Sequence, residues 1–128
     1  MAEKSYGWTG KILRVNLSTG SITTQPTDPY KDYIGGMGLA NKIMYDEVPA
    51  GTKPFDLENK VVFAVGPLTA SGVPLAGRTT ISTLSTYTTD NLLVDGHCGG
   101  MLGAKIKLAG WDAIVLEGAS ATPVYLCI

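Results

Sequence analysis

An α+β fold in which sheet outweighs helix is what this chain predicts, and three observations carry that reading. Apolar residues recur mostly with the period of two that a half-buried strand imposes, only short stretches keep helical spacing, and glycines and prolines cluster between these runs. The chain has 128 residues, 45% hydrophobic and 16% charged. That suits one globular domain burying about two thirds of the surface of its unfolded chain. No internal repeat or low-complexity tract interrupts it.

The elements follow in order. Lys11 to Asn16 carries Ile12, Leu13 and Val15, Leu17 to Gly20 supplies turn chemistry, and Ser21 to Gln25 returns with Ile22 and threonines, so the chain opens with a β-hairpin. Pro26 to Pro29 breaks the pattern, and Tyr30 to Ile34 suits one helical turn that Gly35 and Gly36 stop. Met37 to Asp46 resumes at helical spacing through Leu39, Ile43 and Met44. VPAGTKPFDLENK reads as a surface crossing. Lys60 to Val65 then predicts a buried strand, Thr79 to Leu84 an alternating one and Asn91 to Val94 a short one. Gly100 to Ala109 predicts a short helix stopped by Gly110. Ala113 to Glu117 and Pro123 to Ile128 read as a second hairpin across Gly118 to Thr122. The apolar alternation of that last run makes it an expected pairing edge for another chain, including a second copy.

Charge narrows the function. Ten basic and eleven acidic residues give a net charge of −1 with no basic run, which argues against a nucleic-acid partner. The opening MAEKSYGWTG has no apolar signal core and no stretch approaches the roughly 18 apolar residues of a membrane span, so a cytoplasmic protein without a membrane partner is expected. Cys98 and Cys127 form no CxxC pair, so the chain offers neither a zinc knuckle nor an iron–sulfur motif of its own.

The chemistry concentrates in two glycine loops. GPLTASGVPLAGR follows the strand at Lys60 to Val65 and closes on Arg78; a loop at the carboxyl end of a strand commonly holds a ligand, although the spacing is neither GxGxxG nor GxxxxGK(S/T). Glycines let backbone N–H groups approach an anion, and arginine brings a planar fork suited to phosphate. Arg78 reaches water, joins a structural salt bridge or binds such an anion. The second loop, Asp95 to Gly100, sets Asp95, His97 and Cys98 ahead of a glycine pair that opens a helix, so Gly99 and Gly100 form a candidate phosphate seat. A metal cluster of Asp95, His97 and Cys98, or a Cys/His nucleophile pair, is hard to assemble, because neighbours on an extended segment point to opposite faces.

The strings GWTGKILRVNLSTGSI, YIGGMGLANKIMYDEVPAGTKPFDLENKVVFAVGPLT, AGR and GGMLGAKIKLAGWDAIVLEG, in this order and spacing, resemble the amino-terminal domain of the tungsten-containing aldehyde:ferredoxin oxidoreductase family. The resemblance implies a sheet-rich base for a bis-pterin (molybdopterin-type) cofactor of tungsten or molybdenum, with a 4Fe–4S cluster relaying electrons to ferredoxin or a related carrier. The pterin dithiolene sulfurs hold the metal, so this domain supplies the cradle and no metal ligand. By position, Arg78 matches the family arginine between pterin and cluster. His97, Cys98 and Gly99, with Gly100 following, match the residues beside the pterin phosphates, and the His97 backbone carbonyl matches a magnesium contact. Archaeal members tend to carry Asn and Ser where this chain has His97 and Cys98. No catalytic residue is expected here: residues 1–128 are read as a partial cradle domain, a fragment or split subunit, inactive alone and completed by the rest of the enzyme, where the CxxCxxxC motif would lie. The competing readings are a non-enzymatic module for a phosphorylated ligand and a structural subunit.

Overall fold

The computed structural model describes residues 6–128; the first half of the opening stretch, residues 1–5, lies outside the described residues. Strands β1 (Lys11–Asn16), β2 (Ser21–Pro26), β3 (Lys60–Val65), β4 (Thr79–Leu84), β5 (Leu93–Cys98) and β6 (Ala113–Glu117) form one sheet in the order β2-β1-β6-β3-β4-β5. β1 and β6 run parallel and the other neighbours antiparallel. A 3₁₀ turn, Asp28–Tyr33, leads into helix α1 (Gly36–Glu47), and α2 (Leu102–Leu108) precedes β6. The expected α+β architecture is therefore present, with the helices on opposite faces of the sheet.

Strand alternation decides which face takes which helix. Val62 and Ala64 of β3 point to the side where Leu39, Ala40, Ile43 and Met44 of α1 pack, with Ile12 and Val115 from β1 and β6. Val65 points the other way, with Leu13, Val15 and Ile114, onto Ile106 of α2. Ile12, Leu39, Ile43, Val62 and Val115 are wholly buried, and each contributes about 1.5–3 kcal/mol by leaving water.

Two polar clusters fasten this frame. Asp112, wholly buried, accepts hydrogen bonds from the backbone N–H groups of Thr9 and Gly10, the Thr27 hydroxyl and the Lys107 ammonium, at 2.6–3.0 Å. Burial disfavours its charge, yet the Lys107, Thr9 and Thr27 contacts outweigh that and hold its pKa below the ordinary aspartate value. Across the α1 face, the Arg14 guanidinium grips the Glu47 carboxylate with both terminal nitrogens and donates to Gln25, while Lys60 bridges Glu47 and Glu117. These contacts tie the carboxyl end of α1 to four strands.

Three local expectations need correction. Pro123–Ile128 is not a strand, and Ala113–Glu117 has no hairpin partner after it. β6 is inserted between β1 and β3, so both of its hydrogen-bonding edges are already taken; the terminal run rests beside Leu13, Ile22 and Trp111 without pairing and offers no strand edge of its own. The fifth strand is Leu93–Cys98 rather than Asn91–Val94, because Asp95 to Cys98 continue the ladder with Thr79 to Ser82. The second helix starts at Leu102, two residues beyond the glycine pair, since Gly100 turns the chain at φ +79° and Met101 takes the cap position.

Candidate functional site

The carboxyl end of β3 delivers the first glycine loop, and α1 begins directly against it. Gly35 stands at φ +78°, and a Cβ there would lie 2.9 Å from the Val65 carbonyl oxygen and 3.1 Å from the Gly66 Cα. Only glycine allows that approach. No side chain caps α1, so its first-turn N–H groups and their partial positive charge are left facing the loop.

Between these two segments opens a cavity of about 430 Å³, lined by Ile34 to Gly36, Gly66 to Thr69, Leu75, Ala76, Arg78, Thr80 and His97. Arg78 is exposed, and no carboxylate among the described residues pairs with it. The rim is apolar and conformationally strained: Ile34 and Leu75 adopt φ +64° and +63° while 74% and 101% exposed. Ala70, next to the lining Thr69 on the same loop as Leu75, is also left-handed, at φ +63°. Strain of that kind gathers where a surface is shaped for a ligand or a neighbour. A larger cleft of about 540 Å³ at the other end of α1, among Tyr45, Val48, Leu84 and Leu92, brings no cation to its walls and carries the Asp90 carboxylate instead.

The site residues read from the sequence divide between the two faces of the sheet. Thr80 lies opposite His97 in the β4–β5 register and Thr79 opposite Cys98. His97 therefore shares the α1 face with Thr80, and Cys98 takes the other. Arg78 and His97 meet at the cavity; Cys98, Gly99 and Gly100 do not line it, and the Gly100 carbonyl passes instead beside Gly77 on the first loop. Among the described residues no three His, Cys, Asp or Glu side chains converge as a metal site, and both cysteines are free.

Sequence reasoning missed Thr80 and treated Gly35 and Gly36 only as a helix stop. Thr80 is 4% exposed, and its hydroxyl lies 3.1 Å from His97 Nδ1, while His97 Nε2 lies 2.9 Å from Asp95 Oδ2. The ladder also orients the backbone. The Ser85 N–H donates to the Leu92 carbonyl at 2.8 Å, which makes Ser85 and Leu92 a hydrogen-bonded pair. Antiparallel pairs alternate, so Thr79/Cys98 is bonded and Thr80/His97 is not. Because β5 is an edge strand, the His97 N–H and carbonyl then face the open side of the sheet.

Comparison with known proteins identifies the family. Residues 12–128 match the model of the aldehyde ferredoxin oxidoreductase N-terminal domain. The chain belongs to that family. It is 40% identical over 125 residues to the tungsten-containing aldehyde ferredoxin oxidoreductase of Pyrococcus abyssi, covering 96% of this chain and 20% of that protein. It is 32% identical over 130 residues to the WOR-like subunit of an aliphatic sulfonate oxidoreductase from Pyrococcus furiosus, with the same two coverages. Among solved structures, the active-site complex BamBC of benzoyl coenzyme A reductase matches with a TM-score of 0.88 and 38% identity, over 94% of this chain and 18% of that one. The chain thus spans about a fifth of the length of the curated relatives it matches. Among the described residues no helix is long and apolar enough to cross a membrane.

Proposed function

We propose that this chain is the partial amino-terminal cofactor-cradle domain of a tungsten or molybdenum oxidoreductase. One observation carries the reading: an arginine without a carboxylate partner among the described residues, an uncapped helix amino end and a glycine loop meet in a single cavity at the carboxyl end of β3. Each is a partner for anionic oxygen, and no carboxylate among the described residues pairs with the arginine. The residues present fit a bis-pterin bearing phosphates. Arg78 would hold a phosphate or pterin oxygen through its planar fork, α1 would add its first-turn N–H groups, and the His97 carbonyl on the open edge is the hard oxygen that magnesium prefers.

When bound, such a cofactor supplies the electron-transferring chemistry of aldehyde or related oxidation, with electrons leaving through a 4Fe–4S cluster ligated outside this chain toward ferredoxin or a related carrier. The task of this domain is to bind and orient. Cys98, Gly99 and Gly100 would serve through their backbone, since the Cys98 side chain lies on the opposite face from the cavity. Proteins named for aldehydes, aliphatic sulfonates and benzoyl coenzyme A each match nearly all of this chain. Substrate choice therefore belongs to other parts of the enzyme, which we place in the cytoplasm.

The experiment is metal analysis with visible absorbance on the complete protein purified from its source. Tungsten or molybdenum together with an iron–sulfur band supports the cradle. A complete protein free of both metals and of pterin would turn the reading toward a module for a simple phosphorylated ligand.

A further inference from the structure

The edge strand β5 carries Asp95 and His97 on one face, two residues apart, and β4 presents the buried Thr80 hydroxyl directly opposite. Both imidazole nitrogens are engaged, Nδ1 with Thr80 at 3.1 Å and Nε2 with Asp95 at 2.9 Å. A carboxylate can only accept, so the neutral ring that satisfies both contacts carries its proton on Nε2, leaving Nδ1 to accept from the threonine. The pair Thr80/His97 is the non-hydrogen-bonded kind, in which side chains stand closest and backbone bonds are missing. Here the side chains supply the cross-strand link that the backbone lacks.

We propose that Asp95, His97 and Thr80 form a side-chain brace, with the imidazole as its middle member, that positions the outward-facing His97 carbonyl beside the cavity. An edge strand has one hydrogen-bonded neighbour only, and β5 ends in the Gly99–Gly100 turn, so its last residues have little else to fix them. The brace ties this end to β4, which Arg78 immediately precedes, so that the carbonyl and the guanidinium keep a constant relation. His97 acts here as a positioning residue. The purpose of the brace rests on the cradle reading; its geometry does not.

The test uses the chain labelled with nitrogen-15, followed by nuclear magnetic resonance, with manganese(II) pyrophosphate as the paramagnetic probe for a magnesium-bridged phosphate site. The brace requires the Nε2–H tautomer and slow exchange of the Gly96 and Cys98 amides. Thr80→Val keeps the volume and removes the hydroxyl, and should shift the Nδ1 resonance and speed exchange at those two amides by about tenfold, the worth of one hydrogen bond. Ser82→Ala removes the next hydroxyl on the same face, which donates to Asn41 at 2.8 Å, and should leave both readouts unchanged. Manganese pyrophosphate should broaden the signals around His97 in the unaltered chain, and several-fold less in Thr80→Val.

An Nδ1–H tautomer, or an equal response to Ser82→Ala, would overturn the brace. If the tautomer and exchange follow the brace but broadening does not centre on His97, its positioning role fails, while the cradle reading is decided separately by the metal and pterin content of the complete protein. Broadening that is equally strong in Thr80→Val would keep the contact and remove the brace from it.

Discussion

Asp112 and Arg78 lie in regions of one sheet that treat charge in opposite ways. Around Asp112, four donors close on a carboxylate with no exposure, and Lys107, 8% exposed, also sits 5.6 Å over the Trp8 ring. Around Arg78 the charge is exposed and unpaired among the described residues, the neighbouring helix has no cap, and the rim is strained and apolar. A charge that is fully partnered stabilises the fold and has nothing left for a ligand. A charge held beside a helix amino end without a partner stabilises little and keeps its bonding capacity for something else. The contrast separates frame from site.

The largest effect should come from breaking the frame. Asp112→Ala leaves the nearly buried Lys107 ammonium and two backbone N–H groups without their acceptor, so urea unfolding should lose about 3–5 kcal/mol. A loss near that of a surface substitution would mean the cluster is solvated and the contrast false. The same carboxylate sets an acid limb. Its folded pKa lies below its unfolded value, so the stabilisation is complete above about pH 4 and disappears as pH falls through the depressed folded value. Asp112→Asn should flatten that limb, as thermal unfolding between pH 2 and pH 5 would record; an unchanged slope would assign it to other carboxylates.

A smaller effect belongs to the junction of the two regions. Gly35→Ala puts a methyl group against the Val65 carbonyl at a backbone angle that alanine avoids, and should cost about 1–3 kcal/mol by the same urea assay. Because α1 must then lift from the loop, hydrogen exchange should quicken in its first turn while the Arg14–Glu47 end stays protected. Uniform quickening along the helix would show that the two ends are not independent.

Much of this was legible in the residues, for identifiable reasons. Leu13 and Val15 on one face of the sheet and Ile12, Val62 and Ala64 on the other mark strands, and Leu39, Ile43 and Met44 mark a helix, because the face on which a side chain is buried imposes its period directly. The place of Ala113–Glu117 was not legible: parallel pairing with β1 and antiparallel pairing with β3 are long-range choices, and the turn residues after Glu117 imitate a hairpin. Arg78 and His97 stood out as the single arginine and single histidine of the glycine loops, and the structure brings both to one cavity. The Asp95–His97–Thr80 contacts are invisible when Asp95 to Gly100 is taken for a loop. The signal was present in Asp95-Gly96-His97, two polar side chains at the spacing of one strand face opposite threonine-rich Thr79 to Thr83.

The smallest effect on stability is expected at Arg78. Arg78→Ala should change unfolding by no more than about 0.5 kcal/mol, as for an exposed residue without partners. Isolated residues 1–128 should also bind no stoichiometric tungsten, molybdenum or iron–sulfur cluster, since a large anionic cofactor needs both walls of its site. Elemental analysis giving one metal per chain would contradict that and make the cavity self-sufficient.

The most direct measurement is tungsten, molybdenum and pterin content of the complete protein carrying Arg78→Ala, compared with Arg78→Lys and the unaltered protein, with circular dichroism confirming the fold in each. The cradle account predicts a folded alanine variant that has lost most of its metal and pterin, and partial retention in the lysine variant, which keeps the charge but not the planar fork. Full and equal metal and pterin in all three would contradict it.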